Sequence, residues 1–220
     1  MNTRIAARAT ELADTHFIKA LEECRHSPAA ERALGEVGLI MTGAALSPPN
    51  GEQPTMPWVS PREVLNSRAV HLNATSLRTV AQPEDACPCG SLLVAPRRGE
   101  VRTVLTTTPV IPGLRTLAIH AESEADRMWL LHSLRYRSRE LTALAQGEQA
   151  RAMRRKDFSR YRIPWPSDAV RREFATRAAA LHDLAYAAAE ESRLMEELVV
   201  HEMSQGGDIP AQDHDIQPTP

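Results

Sequence analysis

The chain has 220 residues and a mass of 24.3 kDa, with 42% hydrophobic and 25% charged residues. This composition excludes disorder throughout the chain, and no apolar stretch approaches the ~20 residues of a membrane span. Three cysteines cannot all pair with one another, and the N-terminus lacks the apolar core of a secretory signal. We therefore expect a soluble, cytoplasmic protein.

The charge is divided along the chain. Residues 1–31 hold four basic and five acidic side chains, residues 32–166 eighteen and twelve, and residues 167–220 four and eleven, giving −1, +6 and −7. A basic middle beside an acidic C-terminal third indicates that the two parts face different partners. Only two of the 26 basic residues are lysines. Arginine suits phosphate groups and guanine edges, although a GC-rich genome also favours arginine everywhere.

Helical periodicity marks both ends of the chain. In residues 4–25 the apolar positions recur at helical spacing, and Ser27-Pro28 ends the pattern. Residues 167–203 carry a heptad-like seam over about 54 Å of helix. Such a helix must bury its seam, so we expect it to pair with helix 4–25, within one chain or between two. The expected partner or dimer interface consists of Phe174, Leu181, Leu184, Ala188, Met195 and Leu198.

The middle of the chain has a mixed pattern. Short runs rich in Val, Thr and Leu, bounded by Pro and Gly, predict strands. These runs are residues 34–43, 76–81, 91–96, 102–111 and 115–121. Ser60 and Pro61 predict the start of a helical turn, and residues 123–146 predict an amphipathic helix capped by Ser123.

The predicted fold class is α+β, with one mixed α/β domain between two flanking helices. The predicted divisions are an N-terminal helix (1–31), the mixed domain (32–166), a long coiled-coil-like helix (167–203) and a disordered tail (204–220). The tail is predicted from its Gly, Pro and Asp content.

In this order the elements resemble one half of the specificity subunit of type I restriction-modification systems, over most of residues 1–203. Four segments carry the resemblance, and the last, followed at once by a long helix, is the most specific. The opening of a target recognition domain is similar to LGEVGLIMTGAALSPPNG (34–51), and one of its strands is similar to CGSLLVAPRRGE (89–100). One of its helices is similar to MWLLHSLRYRS (128–138), and its closing signature is similar to ARAMRRKDFSRYRIPWPSDAVRREFATRAAAL (150–181).

The resemblance implies a non-catalytic reader of DNA sequence that needs no cofactor and no metal. Its recognition domain would enter the major groove of double-stranded DNA, and its helices would be the spacer between two recognition domains. It would dock methyltransferase subunits, and a nuclease-translocase subunit where the system has one. The usual family member has two recognition domains, and this chain has space for one. A half-subunit would therefore pair with itself or with another half-subunit. The alternative is a degenerate or truncated remnant that acts as a scaffold and reads no DNA.

Basic segments and loops supply the candidate DNA-binding residues. Arginine-rich turns meet phosphates or base edges, and glutamine can bind adenine bidentately. A solvated turn, an exposed glutamine or ordinary turn chemistry would explain the same residues without DNA. The candidates are Arg97, Arg98 and Arg102 around Gly99, Thr42 and Gly43 in a loop, and Gln149, Arg151, Arg154, Arg155 and Lys156 in the exit segment.

Motifs for catalysis or metal binding are weak. SPPN at 47–50 lacks the aromatic residue with which an adenine methyltransferase stacks a flipped base, and no GxxxxGK(S/T) loop is present. Cys87 and Cys89 with His71 and His120 could hold zinc, or the cysteines are reduced thiols in a turn. Five acidic residues of the long helix are either a solvated face or a surface for a methyltransferase subunit: Glu190, Glu191, Glu196, Glu197 and Glu202.

Overall fold

The structure is a computed structural model that describes residues 2–25, 30–45, 55–67, 69–72, 74, 77–79, 86–146 and 152–205. Its helices are Asn2–Arg25 (α1), Leu34–Val37 (α2), Pro61–Asn66 (α3), Glu124–Tyr136 (α4), Ser138–Leu141 (α5), Arg155–Arg160 (α6) and Asp168–Gln205 (α7). Its strands are Ala30–Ala33 (β1), Leu39–Thr42 (β2), Thr55–Val59 (β3), His71–Leu72 (β4), Leu77–Thr79 (β5), Leu92–Arg97 (β6), Glu100–Thr106 (β7), Ile111–Pro112 (β8), Leu117–His120 (β9), Ala145–Gln146 (β10), Ala152–Met153 (β11) and Arg162–Trp165 (β12).

A five-stranded sheet in the order β2-β9-β6-β7-β4 forms the centre of the domain. Neighbouring strands are antiparallel, except β4 and β7, which are parallel. Alternate residues of β6 enter two cores. Leu92 and Val94 join the large core beneath the helices, and Leu93 and Ala95 join a smaller core against Val64 of α3. The continuous apolar run of β6 reflects this burial on both faces.

Helices α1 and α7 pack antiparallel, and α4 packs against both. The direction follows from two levels of contact, because Phe17 meets Phe174 whereas Thr10 shares a cavity with Ser192. The rings of Phe17, Trp129 and Phe174 form an aromatic cluster with centroid distances of 4.9 Å, 5.5 Å and 5.6 Å. The predicted pairing of the two flanking helices is confirmed, and it occurs within one chain.

A two-stranded pair closes the base of the domain. β1 and β12 are antiparallel, with Ala30 opposite Trp165 and Ala33 opposite Arg162. The end of α1 and the start of α7 therefore lie side by side. The predicted domain boundaries, after residues 31 and 166, fall within β1 and just after β12.

The strand predicted over residues 34–43 is wrong in its first half. Residues Leu34–Val37 form a helical turn, in which the Glu36 carboxylate accepts a hydrogen bond from the Ala33 amide at 3.2 Å. The strand begins only at Leu39, so the apolar run covers two elements. Similarly, the run over residues 102–111 is divided between β7 and β8.

The single helix predicted over residues 123–146 is also wrong. It ends at Tyr136, because Arg137 leaves the helical conformation with φ −93° and ψ 15°. The hydroxyl of Ser138 then donates to the carbonyl of Val101 at 2.7 Å and accepts from its amide at 3.0 Å. A contact between distant segments therefore decides where α4 ends, and α5, a 3₁₀ turn and β10 follow.

Predictions from local signals are confirmed. Ser60 caps α3, since its hydroxyl accepts from the Glu63 amide at 3.2 Å, and the Glu63 carboxylate accepts from the Ser60 amide at 2.7 Å. Helix α7 differs by one or two residues from the predicted range 167–203. Residues 204 and 205 belong to α7, and the rest of the predicted tail lies outside the described residues.

Candidate nucleic-acid interface and helical spacer

One edge of the central sheet carries exposed arginines. β2 and β6 both run antiparallel to β9, so their C-terminal ends lie at the same edge, with Thr42 and Val94 both opposite Leu117. The β6–β7 turn continues beyond this level. Gly99 has φ +81° in the turn, a conformation that glycine adopts freely. The predicted residues Arg97 and Arg98 are exposed there.

Arg115 is a basic residue at this edge that no sequence pattern singled out. It lies two residues before Leu117, it is exposed, and its φ of +73° is uncommon for a residue other than glycine. We term Arg97, Arg98 and Arg115 the basic edge. Arg97 is the member whose charge is paired within the described residues, because its Nε donates to Glu100 Oε2 at 2.9 Å. The sequence feature that could have indicated an exposed Arg115 is the turn around Gly113.

Gly43 is needed for a close backbone approach. Its amide donates to the carbonyl of Thr116 at 2.8 Å, and a Cβ on Gly43 would lie 1.9 Å from the carbonyl oxygen of Gly113. The packing thus accounts for this glycine without DNA. Thr42, its neighbour, is exposed at the end of β2. Of the two loop residues predicted to bind DNA, Thr42 and Gly43, only Thr42 presents a side chain near the basic edge.

Arg102 lies apart from the basic edge. Its side chain is 26% exposed, and its Nη2 donates to the carbonyl of Ser67 at 2.5 Å. It lines two cavities next to α1, together with Arg135. The structure therefore keeps Arg97 and Arg98 together and places Arg102 at the junction between the domain and the helices.

A second basic surface surrounds α6. Phe158 is fully buried and anchors this short helix, and Ser159 fits against Gly35 of α2, where no side chain intervenes. Four exposed basic residues, which we term the α6 cluster, surround this anchor: Arg154, Arg155, Lys156 and Arg160. The predicted residues Gln149 and Arg151 lie outside the described residues, as does the SPPN segment.

A buried polar network joins the helices where they cross. Asp14 Oδ1 lies 2.8 Å from His132 Nδ1, and His132 Nε2 lies 2.9 Å from His182 Nε2. Arg135 Nη2 donates to Asp14 Oδ2 at 2.9 Å. Because Asp14 accepts from Nδ1–H of His132, the bare Nε2 of His132 accepts from His182. The Nδ1 of His182 is buried without a partner in the described part of the chain.

The environment keeps both histidines neutral. Burial lowers the pKa of His182 from 6.5 to about 3, and the repulsion that a protonated His182 would meet from protonated His132 or His71 acts in the same direction. Burial also lowers the pKa of His132, although Asp14 opposes this. Burial disfavours the charged Asp14 carboxylate, but hydrogen bonds from His132 and Arg135 outweigh it and lower the pKa of Asp14. The network is therefore stable as one carboxylate, one guanidinium and two neutral imidazoles.

The α1–α7 pair leaves an apolar stripe exposed. At about 100° per residue, Leu184 lies about 160° around α7 from His182, which contacts α4, and Leu12 lies about 160° around α1 from Asp14. The stripe is therefore opposite α4, and we term it the outer face. It comprises Ile5 and Leu12 of α1 and Leu184, Met195 and Leu198 of α7, with exposed fractions from 39% to 61%.

The predicted interface residues divide between the inside and the outside of the chain. Phe174 and Ala188 are buried in the α1–α7 contact, and Leu181 is half-buried. The other three, Leu184, Met195 and Leu198, belong to the outer face. Two seams are thus present on α7, and the inner one is already occupied by α1.

The four side chains that could have held zinc do not come together. His71 packs edge-on against His182 and Tyr186, and Cys87 Sγ contacts the Val110 carbonyl at 3.1 Å. Across the described ranges, no three His, Cys, Asp or Glu side chains come together as a metal site. All three cysteines are free thiols. None of the helices in the described ranges has the length and apolar character needed to cross a membrane.

Comparison with known proteins gives a likeness of fold. Neither a protein-family model nor a curated protein sequence matches the chain. The HsdS subunit from Thermoanaerobacter tengcongensis matches 86% of this chain and 48% of its own, at 22% identity and a TM-score of 0.55. The type I restriction-modification S subunit from M. genitalium matches 92% and 54%, at 14% identity and a TM-score of 0.60.

A third match comes from a structure that addresses complex assembly and conformational transition of the type I R-M system. It covers 89% of this chain and 51% of that one, at 24% identity and a TM-score of 0.54. The chain thus spans about half the length of these three proteins. It has the fold of one half of a type I restriction-modification S subunit: one mixed α/β domain carried between two long helices.

Proposed function

We propose that the chain is a half-length specificity subunit of a type I restriction-modification complex, which binds double-stranded DNA and performs no chemistry itself. The fold carries this proposal, since a single domain sits between the two helices of one spacer unit. Methylation of DNA, and cleavage where it occurs, would belong to a methyltransferase subunit and a nuclease-translocase subunit. The acidic positions of α7, such as Glu191 and Glu196, are exposed and suit protein rather than DNA.

The two basic surfaces suit phosphate contacts. The basic edge presents Arg98 and Arg115 on turns, where guanidinium groups can reach phosphates or base edges. The α6 cluster adds four cations on a short, anchored helix. In this proposal Thr42 and the predicted Gln149 contact bases, the predicted Arg151 contacts phosphate, and Arg102 is withdrawn to the domain junction.

Removing either basic surface should weaken DNA binding and reduce its salt dependence. The variants are Arg97→Gln/Arg98→Gln/Arg115→Gln and Arg154→Gln/Arg155→Gln/Lys156→Gln. Each phosphate contact contributes about 0.9 to the slope of log affinity against log salt, so each triple variant should lower the slope by up to about 2.7. Fluorescence anisotropy with a random-sequence duplex, between about 50 and 200 mM salt, measures the slope.

A matched control removes three other exposed cations, in Lys19→Gln/Arg172→Gln/Arg177→Gln. These side chains lie on the helices and pair with acidic neighbours, so the slope should stay close to the wild-type value. If the wild-type chain binds no duplex at low salt, also with its methyltransferase subunit present, DNA reading is refuted and the scaffold alternative stands.

The outer face supports pairing with a second half-subunit. Its five apolar side chains form a stripe along both helices, and α7 is about 57 Å long. A second copy placed on this face would bury both stripes in a four-helix arrangement. Two recognition domains would then be held at a fixed distance, as a split DNA site requires.

Charges on the outer face should convert a dimer into a monomer. Leu184→Asp/Met195→Asp places two carboxylates in the proposed contact, and desolvating them is costly. Analytical ultracentrifugation should show a mass near 24.3 kDa for this variant, against twice that value for the wild type. Leu114→Asp is the control, since Leu114 is 55% exposed but lies in the sheet domain. A monomeric wild-type chain would refute self-pairing.

A further inference from the structure

Two cavities meet at the junction of the domain and the helices. One, of about 460 Å³, lies between α1, α7 and the segment around His71. The other, of about 250 Å³, lies between α1, the start of β7 and the end of α4. Arg102 and Arg135 line both cavities. Both arginine side chains therefore border the two cavities.

Arg102 is poorly neutralised at this position. Its Nη2 uses a backbone carbonyl, that of Ser67. The nearest carboxylate oxygen, from Glu100, is 4.0 Å from Nη1, and Glu100 also pairs with Arg97. The Nε of Arg102 is buried and has no hydrogen-bond partner in the described part of the chain. A poorly solvated cation with little neutralisation costs free energy, which a bound anion would recover.

Arg135 adds a second positive charge beside it. Its carboxylate partner, Asp14, is shared with His132, so one acidic group serves two donors. Burial, and next the charge of Arg135, lower the pKa of Arg102, which reflects mutual repulsion in a poorly solvated place. The larger cavity is also lined by Arg193 and Glu196, and Arg193 is paired with Glu190 and Glu197.

We propose that Arg102 and Arg135 form a binding site for a phosphate group at the junction between the domain and the spacer helices. A phosphate dianion matches two guanidinium groups, and its several oxygens can accept from the Nη atoms of Arg102, whose side chain is 26% exposed. Even the smaller cavity, of about 250 Å³, has room for such a group. A bound phosphate would link β7 to α4 and α1, and would thereby hold the domain at a set angle to the helices.

The test is a titration of the full chain with inorganic phosphate at constant ionic strength, followed by calorimetry. The wild type should bind phosphate in preference to chloride. Arg102→Gln should lose about tenfold or more in affinity, since it removes a charged hydrogen-bonding group. Arg98→Gln, an equal change of charge at an exposed turn, should bind like the wild type.

A second variant guards against a loss of structure. Arg102→Lys keeps the charge but loses the forked donors, so phosphate binding should weaken while circular dichroism stays unchanged. Equal phosphate affinity in wild type, Arg102→Gln and Arg102→Lys would overturn the proposal, as would wild-type affinity no greater for phosphate than for chloride.

The source of the phosphate group is distinguished by adding duplex DNA. If the group belongs to a DNA backbone, inorganic phosphate and duplex compete, and Arg102→Gln lowers the salt slope by about one contact. If it is a free phosphate, both bind together and Arg102→Gln leaves DNA affinity unchanged. Failure of the wild type to bind DNA would leave the phosphate titration intact, so the two proposals are separable.

Discussion

Phe174→Ala should lower the free energy of unfolding by about 3–5 kcal/mol, the range measured for removing a buried phenylalanine. Phe174 is 3% exposed, and its ring meets Phe17, Trp129 and His132 at centroid distances of 5.1–5.6 Å. Truncation leaves a cavity where α1, α4 and α7 meet, and these rings cannot close it without moving a helix. Urea unfolding monitored by tryptophan fluorescence measures the change.

Leu184→Ala is the matched control on the same helix. Leu184 is 51% exposed on the outer face, so its truncation should cost less than about 1 kcal/mol at protein concentrations where the chain is monomeric. Comparable losses for the two variants would contradict the assignment of an inner and an outer seam on α7.

Acid should destabilise the chain from about pH 6.5 downwards. An unfolded histidine has a pKa near 6.5, whereas burial lowers the pKa of His132 and lowers that of His182 to about 3. Below pH 6.5 the unfolded chain therefore binds more protons than the folded chain. Stability then falls by up to about 1.4 kcal/mol per pH unit for each histidine that is neutral in the folded chain and protonated in the unfolded chain. Urea unfolding at several pH values between about 7.5 and 4 measures this slope.

Charged and titratable neighbours set the window of this effect. Asp14 and Arg135 face His132, while His71, with Asp183 near it, faces His182. Asp14 has a lowered pKa, so the stability it contributes is lost only below its ordinary value of 3.8. Between pH 6.5 and 4 the slope therefore belongs mainly to the histidines.

His182→Leu should reduce the slope by up to about 1.4 kcal/mol per pH unit, because one histidine with a lowered pKa is gone while His71, His120 and His132 remain. His16→Gln, on α1 outside the network, should leave the slope unchanged. A slope in His182→Leu as steep as that of the wild type would show that other groups control the acid response.

Local signals predicted much of the fold. The stripes of α1 and α7, the cap at Ser60 and the buried strand β6 depend on near neighbours in sequence, and the structure confirms them. The break after Tyr136 depends on a hydrogen bond between Ser138 and Val101, which are 37 residues apart. Periodicity cannot report such a contact, so the sequence suggested one long helix.

The part of the candidate site that lies in a single turn could be predicted from the sequence. Gly99 marks the turn that exposes Arg97 and Arg98. Arg102 looked like part of the same cluster, but it lies three residues along β7 from that turn and reaches the Ser67 carbonyl instead. Asp14 and His132 are 118 residues apart, and no local pattern indicates that they meet. Assignments that need three-dimensional proximity therefore had to come from the structure.

The pairing of β1 with β12 has a consequence for how such chains change over evolutionary time. Residues 30 and 165 face each other across a single antiparallel pair. The chain therefore enters and leaves the domain at two neighbouring points, about 5 Å apart. The residues between these points form a domain that is inserted between the antiparallel helices α1 and α7. Exchanging residues 31–164 would keep the contacts between α1 and α7 in place, would replace those to α4 and His71, and would join a different domain to the same pair of helices.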